Sequence, residues 1–156
     1  MSKAKNKLVL FLASGFGLGY TPLAPGTFGT LLGVAAYFFL GRLSIFAVVP
    51  IAAALILVSI WLADQAEQIL LTRDPQIVVI DEVAGYLVTL LSFPASWRYL
   101  LAGFLLFRFF DVFKPWPASY FDRSARRGWA VVMDDVAAGV YANICLQILR
   151  LALDWS

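Results

Sequence analysis

The sequence predicts an all-α, polytopic helical membrane protein, a compact bundle of about five apolar helices with some short or re-entrant segments. Hydrophobic residues make up 62% of the 156 residues and charged residues 14%, and the mean hydropathy is +0.82. A soluble domain of this size could not bury so much apolar surface, so lipid must solvate part of it. Polar blocks also divide the chain into successive apolar segments. Together these observations indicate one membrane-embedded domain over residues 1–156.

The beginning of the chain combines basic residues with a short apolar run. The stretch MSKAKNKLVLFLASGFG carries Lys3, Lys5 and Lys7 before the apolar residues 8–13. That run is shorter than the apolar core of a usual secretory signal, about 7–15 residues, and no clear cleavage site follows it. We expect a retained cytoplasmic start with a short helix that touches the membrane.

The apolar segments that follow differ in length. Residues 43–63 form the best single span, because a helix needs about 20 residues to cross a bilayer, and Pro50 is expected to kink it. Residues 28–40 and 83–93 are marginal as full spans; they are tilted, re-entrant or packed only on protein. The remaining apolar segments are residues 99–113 and the long closing stretch, residues 136–155.

The basic residues predict an orientation. With the N-terminus in the cytoplasm, nine basic residues fall on the cytoplasmic side and three, Arg42, Arg98 and Arg150, on the far side. The nine are Lys3, Lys5, Lys7, Arg73, Arg108, Lys114, Arg123, Arg126 and Arg127. This asymmetry fits the positive-inside rule. It also places the glycine-rich loop and the polar blocks on one face, which we expect to be cytoplasmic.

The residue types that are missing exclude several kinds of chemistry. The chain has no histidine and one cysteine, Cys145. Histidine-based catalytic triads, cysteine zinc sites and disulfide frameworks are therefore excluded. The net charge is only +2, and no nucleic-acid partner is expected. Arg123, Arg126 and Arg127, in the stretch DRSARRG, are better explained as a basic patch for anionic lipid headgroups.

Two acidic pairs precede apolar stretches, Asp81 and Glu82 in DEVAG and Asp134 and Asp135 in DDVAAG. One interpretation is helix capping, because acidic side chains favour the first turn of a helix. Neighbouring side chains on a helix diverge by about 100°, however, so only one member of each pair can cap well. The repetition of the pattern therefore favours a second interpretation, in which the pairs meet.

Small residues follow each pair and favour that second interpretation. Gly85 and Gly139 lie within the next residues of the two stretches, and small residues let helix backbones approach closely in a membrane. Two close helices would bring the four carboxylates together, which requires a cation. Oxygen ligands without histidine or cysteine predict Mg²⁺. We therefore expect Asp81, Glu82, Asp134 and Asp135 to form a catalytic metal site.

Two further stretches suggest phosphate binding. In FRFFDVFKP, Arg108, Asp111 and Lys114 are spaced three residues apart, so they can share one side of a helix. They are either a self-paired, snorkelling helix end or, beside a metal, phosphate-binding cations. In GLGYTPLAPGTFGT, backbone N–H groups could hold an anion, with Thr27 and Thr30 as hydroxyl donors. That loop lacks the Lys-Ser/Thr ending of a nucleotide-binding P-loop.

Taken together, these stretches resemble the phosphatidylglycerophosphatase A family. The matching pieces are GLGYTPLAPGTFGTLLG, DPQIVVIDEVAGYLV, FRFFDVFKPWP and GWAVVMDDVAAGVYAN, in the family's order. The resemblance implies a Mg²⁺-dependent, multi-pass enzyme of the bacterial inner membrane. Such an enzyme removes the terminal phosphate of phosphatidylglycerophosphate and leaves phosphatidylglycerol. The resemblance does not assign a task to each carboxylate.

A mechanism follows as a hypothesis. Glu82 and Asp135 are expected to bind the metal directly, with Asp81 and Asp134 as further ligands or as the base for water. Arg108 and Lys114 are expected to neutralise the phosphoryl oxygens. A phosphorylated aspartate intermediate stays open as an alternative to direct attack by water.

Two other classes of function remain open from the sequence. A small ion carrier or channel would use the same carboxylates as a cation pathway, but it predicts acids distributed through the bilayer depth. A non-catalytic scaffold for anionic lipids would need the basic residues and not the acidic pairs. Replacing Asp135 by alanine separates the scaffold from the enzyme.

Overall fold

The computed structural model describes residues 3–114 and 128–154, and within them the chain forms six α-helices and no strand. The helices are α1 (Lys3–Ala13), α2 (Pro25–Leu40), α3 (Ile45–Leu70), α4 (Ile80–Thr89), α5 (Trp97–Phe113) and α6 (Gly128–Ala152). A short 3₁₀ turn, Leu18–Tyr20, lies between α1 and α2. The all-α prediction is confirmed. The predicted basic patch of Arg123, Arg126 and Arg127 lies outside the described residues.

Two helices are long and apolar enough to cross a bilayer. In 18-residue windows, α3 has a mean hydropathy of 2.7 and α6 of 1.3, and only 22% and 39% of these windows are buried within the protein. Large apolar side chains on their outer surfaces are exposed, among them Phe46 and Leu57 of α3 and Ile148 of α6. A soluble protein would bury such surfaces, so the chain folds as a helical membrane protein.

The short helix α4 lies at the centre of the bundle and contacts α2, α3, α5 and α6. It is about 15 Å long, half the thickness of the hydrocarbon core. Residues 83–89 are all buried, and the side chains of Tyr86 and Leu87 are fully enclosed. The sequence left open whether the apolar segment that begins at residue 83 is tilted, re-entrant or packed only on protein. The structure shows that its helical part is packed on protein.

Glycines set the distance between α4 and α6. A Cβ atom on Gly85 would lie 2.6 Å from the carbonyl oxygen of Asp135, and one on Gly139 would overlap the carbonyl oxygen of Gly85. Side chains larger than hydrogen would therefore force the two helices apart. The close approach predicted from the small residues is confirmed, and it brings the first turn of α4 to the level of Asp135.

The beginning of α6 differs from the expectation. The sequence suggested that the helix opens after the second acidic pair, whereas α6 begins at Gly128 and has no acidic residue in its first turn. The apolar stretch WAVVM before the pair continues the helix, because nothing in it interrupts helical hydrogen bonding. Helix capping therefore does not account for Asp134 and Asp135, which lie beyond the first turn.

Candidate active site

A polar cleft of about 490 Å³ opens at one end of the bundle, where the beginnings of α2 and α4 meet the end of α5 and the early part of α6. It is lined by all four predicted carboxylates and both predicted cations. These are Asp81, Glu82, Arg108, Lys114, Asp134 and Asp135. A cleft of this volume holds a small ligand rather than a bare phosphate ion.

Three carboxylates form the centre of the cleft. Asp81, Glu82 and Asp135 each offer one oxygen, and these oxygens all lie within 4.8 Å of one another. Asp81 is 4% and Asp135 5% exposed. The Oε2 atom of Glu82 is buried and has no hydrogen-bond partner in the described part of the chain. We refer to these three residues as the carboxylate cluster.

The electrostatics of the cluster favour a bound cation. Burial raises the pKa of Asp81 and of Glu82 above their usual values, and the neighbouring charges of Asp81 and Asp135 raise that of Glu82 further. Without a cation, the cluster must therefore take up protons or carry uncompensated negative charge. Buried oxygens from carboxylates, one of them without a hydrogen-bond donor, are a donor set that fits a hard cation such as Mg²⁺.

The glycine-rich segment packs directly on this cluster. A Cβ atom on Gly26 would overlap Oε1 of Glu82 and lie 3.1 Å from Nη1 of Arg108, and one on Gly29 would lie 3.3 Å from Oε2 of Glu82. Glycine at these positions lets the first turns of α2 approach the carboxylates. Pro25 occupies the first turn of the helix, and the positive end of the helix dipole therefore lies at the cleft.

The two predicted phosphate-binding cations are both held by acidic partners. Arg108 forms an ion pair with Asp111, three residues later on α5. Lys114, at the end of α5, forms an ion pair with Asp134 of α6. Both cations line the same cleft as the carboxylate cluster.

The four predicted metal ligands are consequently not equivalent. Asp81, Glu82 and Asp135 converge, whereas Asp134 contacts Lys114. Adjacent residues on α6 point in directions about 100° apart, so one faces α4 and the other the end of α5. The sequence indicated the splay of each pair and favoured Glu82 and Asp135 as direct ligands, but it did not indicate that Asp134 faces Lys114.

The two predicted threonines lie outside the cleft lining. Thr30 is fully buried, and its hydroxyl donates to the carbonyl oxygen of Gly26 at 2.9 Å. Thr27 is half-buried in the first turn of α2, and its backbone N–H donates to Ala24 at 2.9 Å. A phosphate-binding role for the two hydroxyl groups stays a prediction from the sequence.

Several polar residues of the cleft were not predicted from the sequence as site residues. Glu67, Arg73, Asp74 and Gln76 line it from the end of α3 and the connection to α4, and Asp111 lines it from α5. The backbone N–H of Asp74 donates to Oε1 of Glu67 at 3.1 Å, which ties this connection to the helix. The spacing of Asp111 from Arg108 and Lys114 had placed it on one side of a helix with them, whereas the other four were marked only by membership of polar blocks on the same predicted face.

Comparison with known proteins agrees with the geometry. The sequence model of the family "Phosphatidylglycerophosphatase A" matches residues 11–150. A phosphatidylglycerophosphatase A of Escherichia coli (strain K12) is 34% identical over 145 residues, covering 88% of this chain and 83% of the relative. One of Haemophilus influenzae is 37% identical over 141 residues, covering 89% and 86%.

A third relative carries a different name. A protein of Bacteroides thetaiotaomicron, named as a proposed phosphatidylinositol-3-phosphatase, is 37% identical over 159 residues, covering 95% of this chain and 97% of the relative. No solved structure matches the chain. The family model covers most of the chain, including every residue of the carboxylate cluster and both cations, and the chain therefore belongs to the phosphatidylglycerophosphatase A family.

Proposed function

We propose that this protein is a Mg²⁺-dependent lipid phosphatase that hydrolyses phosphatidylglycerophosphate to phosphatidylglycerol and inorganic phosphate. We further propose that it is a multi-pass protein of the bacterial inner membrane whose cleft faces the cytoplasm. The observation that carries the proposal is the convergence of three carboxylates, two buried and one half-buried, beside two cations in a single polar cleft. Family membership supplies the lipid phosphomonoester as substrate.

The residues of the cleft have different roles in the proposed reaction. Asp81, Glu82 and Asp135 would hold the metal ion. When bound, Mg²⁺ would supply Lewis acidity to the phosphoryl group. Arg108 and Lys114 would donate hydrogen bonds to the phosphoryl oxygens and offset their charge, which is the main requirement of phosphoryl transfer.

Hydrolysis exchanges one phosphorus–oxygen bond for another. The oxygen of a water molecule bonds to phosphorus, and the bond from phosphorus to the glycerol oxygen breaks. A carboxylate of the cleft would accept a proton from the water, and the carboxylic acid so formed would return a proton to the departing glycerol oxygen. Attack by an aspartate of the cleft, followed by hydrolysis of the acyl phosphate, remains the alternative order of steps.

The surroundings of the cleft support a substrate that stays in the bilayer. Exposed apolar side chains directly follow or precede residues that line it: Leu23 is 78%, Phe113 70% and Trp129 45% exposed. Such side chains at the mouth of a polar cleft suit the boundary between headgroups and acyl chains. Only the headgroup of the lipid would then need to enter.

Phosphate release from purified protein tests the proposal. We expect release from phosphatidylglycerophosphate with Mg²⁺, none with chelator, and none from Asp135→Ala under either condition. Asp154→Ala is the matched control, because this exposed aspartate follows α6 at the end away from the cleft. Release by Asp135→Ala at the wild-type rate, or release that ignores the chelator, would contradict the proposal.

The other classes of function make different predictions. An ion carrier needs acids along the membrane depth, yet residues 136–149 of α6 carry none. A lipid-binding scaffold would bind phosphatidylglycerophosphate vesicles equally well before and after Asp135→Ala and would release no phosphate. Ion flux or lipid binding without hydrolysis would favour these alternatives.

A second substrate follows from the Bacteroides relative. A phosphatidylinositol phosphate presents the same phosphomonoester on a larger polyol, and the cleft volume of about 490 Å³ exceeds that of a phosphate group. We propose phosphatidylglycerophosphate as the preferred substrate. Comparing kcat/KM for the two lipids in the same detergent decides this, and a higher value for the inositol lipid would reverse the assignment.

A further inference from the structure

The second acidic residue pair contains one carboxylate that the metal cluster does not use. Asp134 is 4% exposed, yet the group of oxygens within 4.8 Å of one another consists of Asp81, Glu82 and Asp135. Adjacency on a helix does not exclude it, since the neighbours Asp81 and Glu82 both reach the cluster. The Asp134 carboxylate is instead paired with Lys114 at the end of α5, and Gly85, packed on the carbonyl of Asp135, fixes α6 against α4 at this level.

Asp134 instead fixes a cation at the other side of the cleft. Its Oδ2 atom pairs with Nζ of Lys114, whose side chain is 33% exposed while that of Asp134 is 5% exposed. The backbone of Lys114 is also fixed, because it ends α5 with a φ of 44° and its N–H donates to Phe110 at 2.9 Å. The lysine is therefore held at both its backbone and its ammonium group.

The two ion pairs of the cleft connect different parts of the fold. Arg108 and Asp111 are neighbours on one helix, whereas Lys114 and Asp134 connect α5 to α6. Lysine has a flexible four-carbon stem and a compact charge, so a partner that restricts the stem is needed to keep its ammonium group in one position. A buried carboxylate provides such a partner, because it is strongly disfavoured without a counter-charge.

We propose that Asp134 is a positioning residue that holds the Lys114 ammonium group over the phosphate site and is not a ligand of the metal. This inference rests on the proposed phosphatase function. The consequence is that the two neighbouring aspartates of α6 have separate tasks. Asp135 serves the metal, and Asp134 serves the phosphate through Lys114.

Two binding measurements on detergent-purified protein separate these tasks. Mn²⁺ binding, followed by electron paramagnetic resonance, reports on the metal site. Binding of inorganic phosphate in the presence of Mg²⁺, followed by calorimetry, reports on the cation. For Asp134→Asn we expect Mn²⁺ affinity close to that of wild type and phosphate affinity about 10- to 100-fold weaker, the range of one charge-assisted hydrogen bond. Asp135→Asn, the matched control, should lose Mn²⁺ binding.

Changes at Lys114 test whether Asp134 acts through it. Lys114→Gln should weaken phosphate binding as much as Asp134→Asn does, and the double variant should be no weaker than Lys114→Gln alone. Asp134→Glu, which keeps the charge, should regain part of the phosphate affinity. In the lipid assay, Asp134→Asn should raise KM more than it lowers kcat.

Clear outcomes would overturn the inference. If Asp134→Asn lost Mn²⁺ binding like Asp135→Asn, Asp134 would be a metal ligand. If Asp134→Asn does not fold, Lys114→Gln decides, because unchanged phosphate affinity in that variant removes the role assigned to the pair. Absence of lipid phosphate release by the wild type would refute the proposed function instead, and the two binding measurements would still report on Asp134.

Discussion

The contact between α4 and α6 at Gly85 allows the geometry of the carboxylate cluster to be tested without touching a carboxylate. In Gly85→Ala, the added methyl group would lie 2.6 Å from the carbonyl oxygen of Asp135 and 2.7 Å from Cε2 of Phe107. Ordinary van der Waals contact begins at 3.4 Å, so the two helices must separate by about 0.8 Å (3.4 − 2.6). That separation moves Asp81 and Glu82 away from Asp135.

The expected effects on stability and on activity differ in size. Overpacking costs about 1–3 kcal/mol, and replacing glycine by alanine in a helix returns about 1 kcal/mol, so the net loss of stability is about 0–2 kcal/mol. Misplacing catalytic groups by about 1 Å can cost a factor of about 100 in rate. We therefore expect a folded protein whose phosphate release is about 100-fold slower and whose Mg²⁺ affinity is reduced.

Gly103→Ala is the matched control for this experiment. Its methyl group would meet Cδ2 of Leu90 at 2.9 Å and Cγ2 of Thr89 at 3.4 Å, both ends of side chains in the part of α4 away from the cluster. The assay is Mg²⁺-dependent phosphate release, with thermal unfolding in detergent measured alongside. Wild-type rate and Mg²⁺ affinity in Gly85→Ala, or an equal loss of activity in Gly103→Ala, would refute the reasoning.

Three further predictions address the loop, the far end of α4 and the metal. Gly26→Ala should abolish phosphate release without unfolding the protein, because its methyl group would overlap Oε1 of Glu82 and crowd Arg108; wild-type release would contradict this. Asn143→Leu removes a donor to three carbonyl groups at the end of α4 and should lower the free energy of unfolding by about 1–3 kcal/mol while Mg²⁺ affinity stays the same. Chelation should lower the melting temperature of wild type and leave that of Glu82→Gln unchanged, since only a protein that binds the ion is stabilised by it; an equal shift in both would argue against the cluster.

The fold class could be predicted from the apolar composition together with the lengths of the apolar segments, the longest of which suit membrane-spanning helices. Apolar segments separated by polar blocks require lipid, and lipid requires helices or closed barrels. The residues at which the helices end were harder to predict from the sequence. The segment after residue 63 is polar, yet α3 continues to Leu70 because its residues are good helix formers and Gln68 donates to Asp64 at 2.9 Å, one turn earlier.

The sequence predicted which residues form the candidate site but not which of them pair with one another. Residue types and small neighbours indicated that all four acidic residues would meet, because glycines permit the necessary helix contact. Three of them, Asp81, Glu82 and Asp135, do converge. The pairing of Asp134 with Lys114 depends on where the end of α5 lies against α6, and no local pattern encodes that position.

The central claim, that the carboxylate cluster binds a divalent cation, is tested most directly by titrating purified protein with Mn²⁺ and following electron paramagnetic resonance. Glu82→Gln removes the charge of the central carboxylate, and Glu67→Gln is the matched control because Glu67 lines the same cleft outside the cluster. We expect saturable Mn²⁺ binding that Mg²⁺ displaces in wild type and in Glu67→Gln, and loss of that binding in Glu82→Gln. Unchanged binding in Glu82→Gln would contradict it.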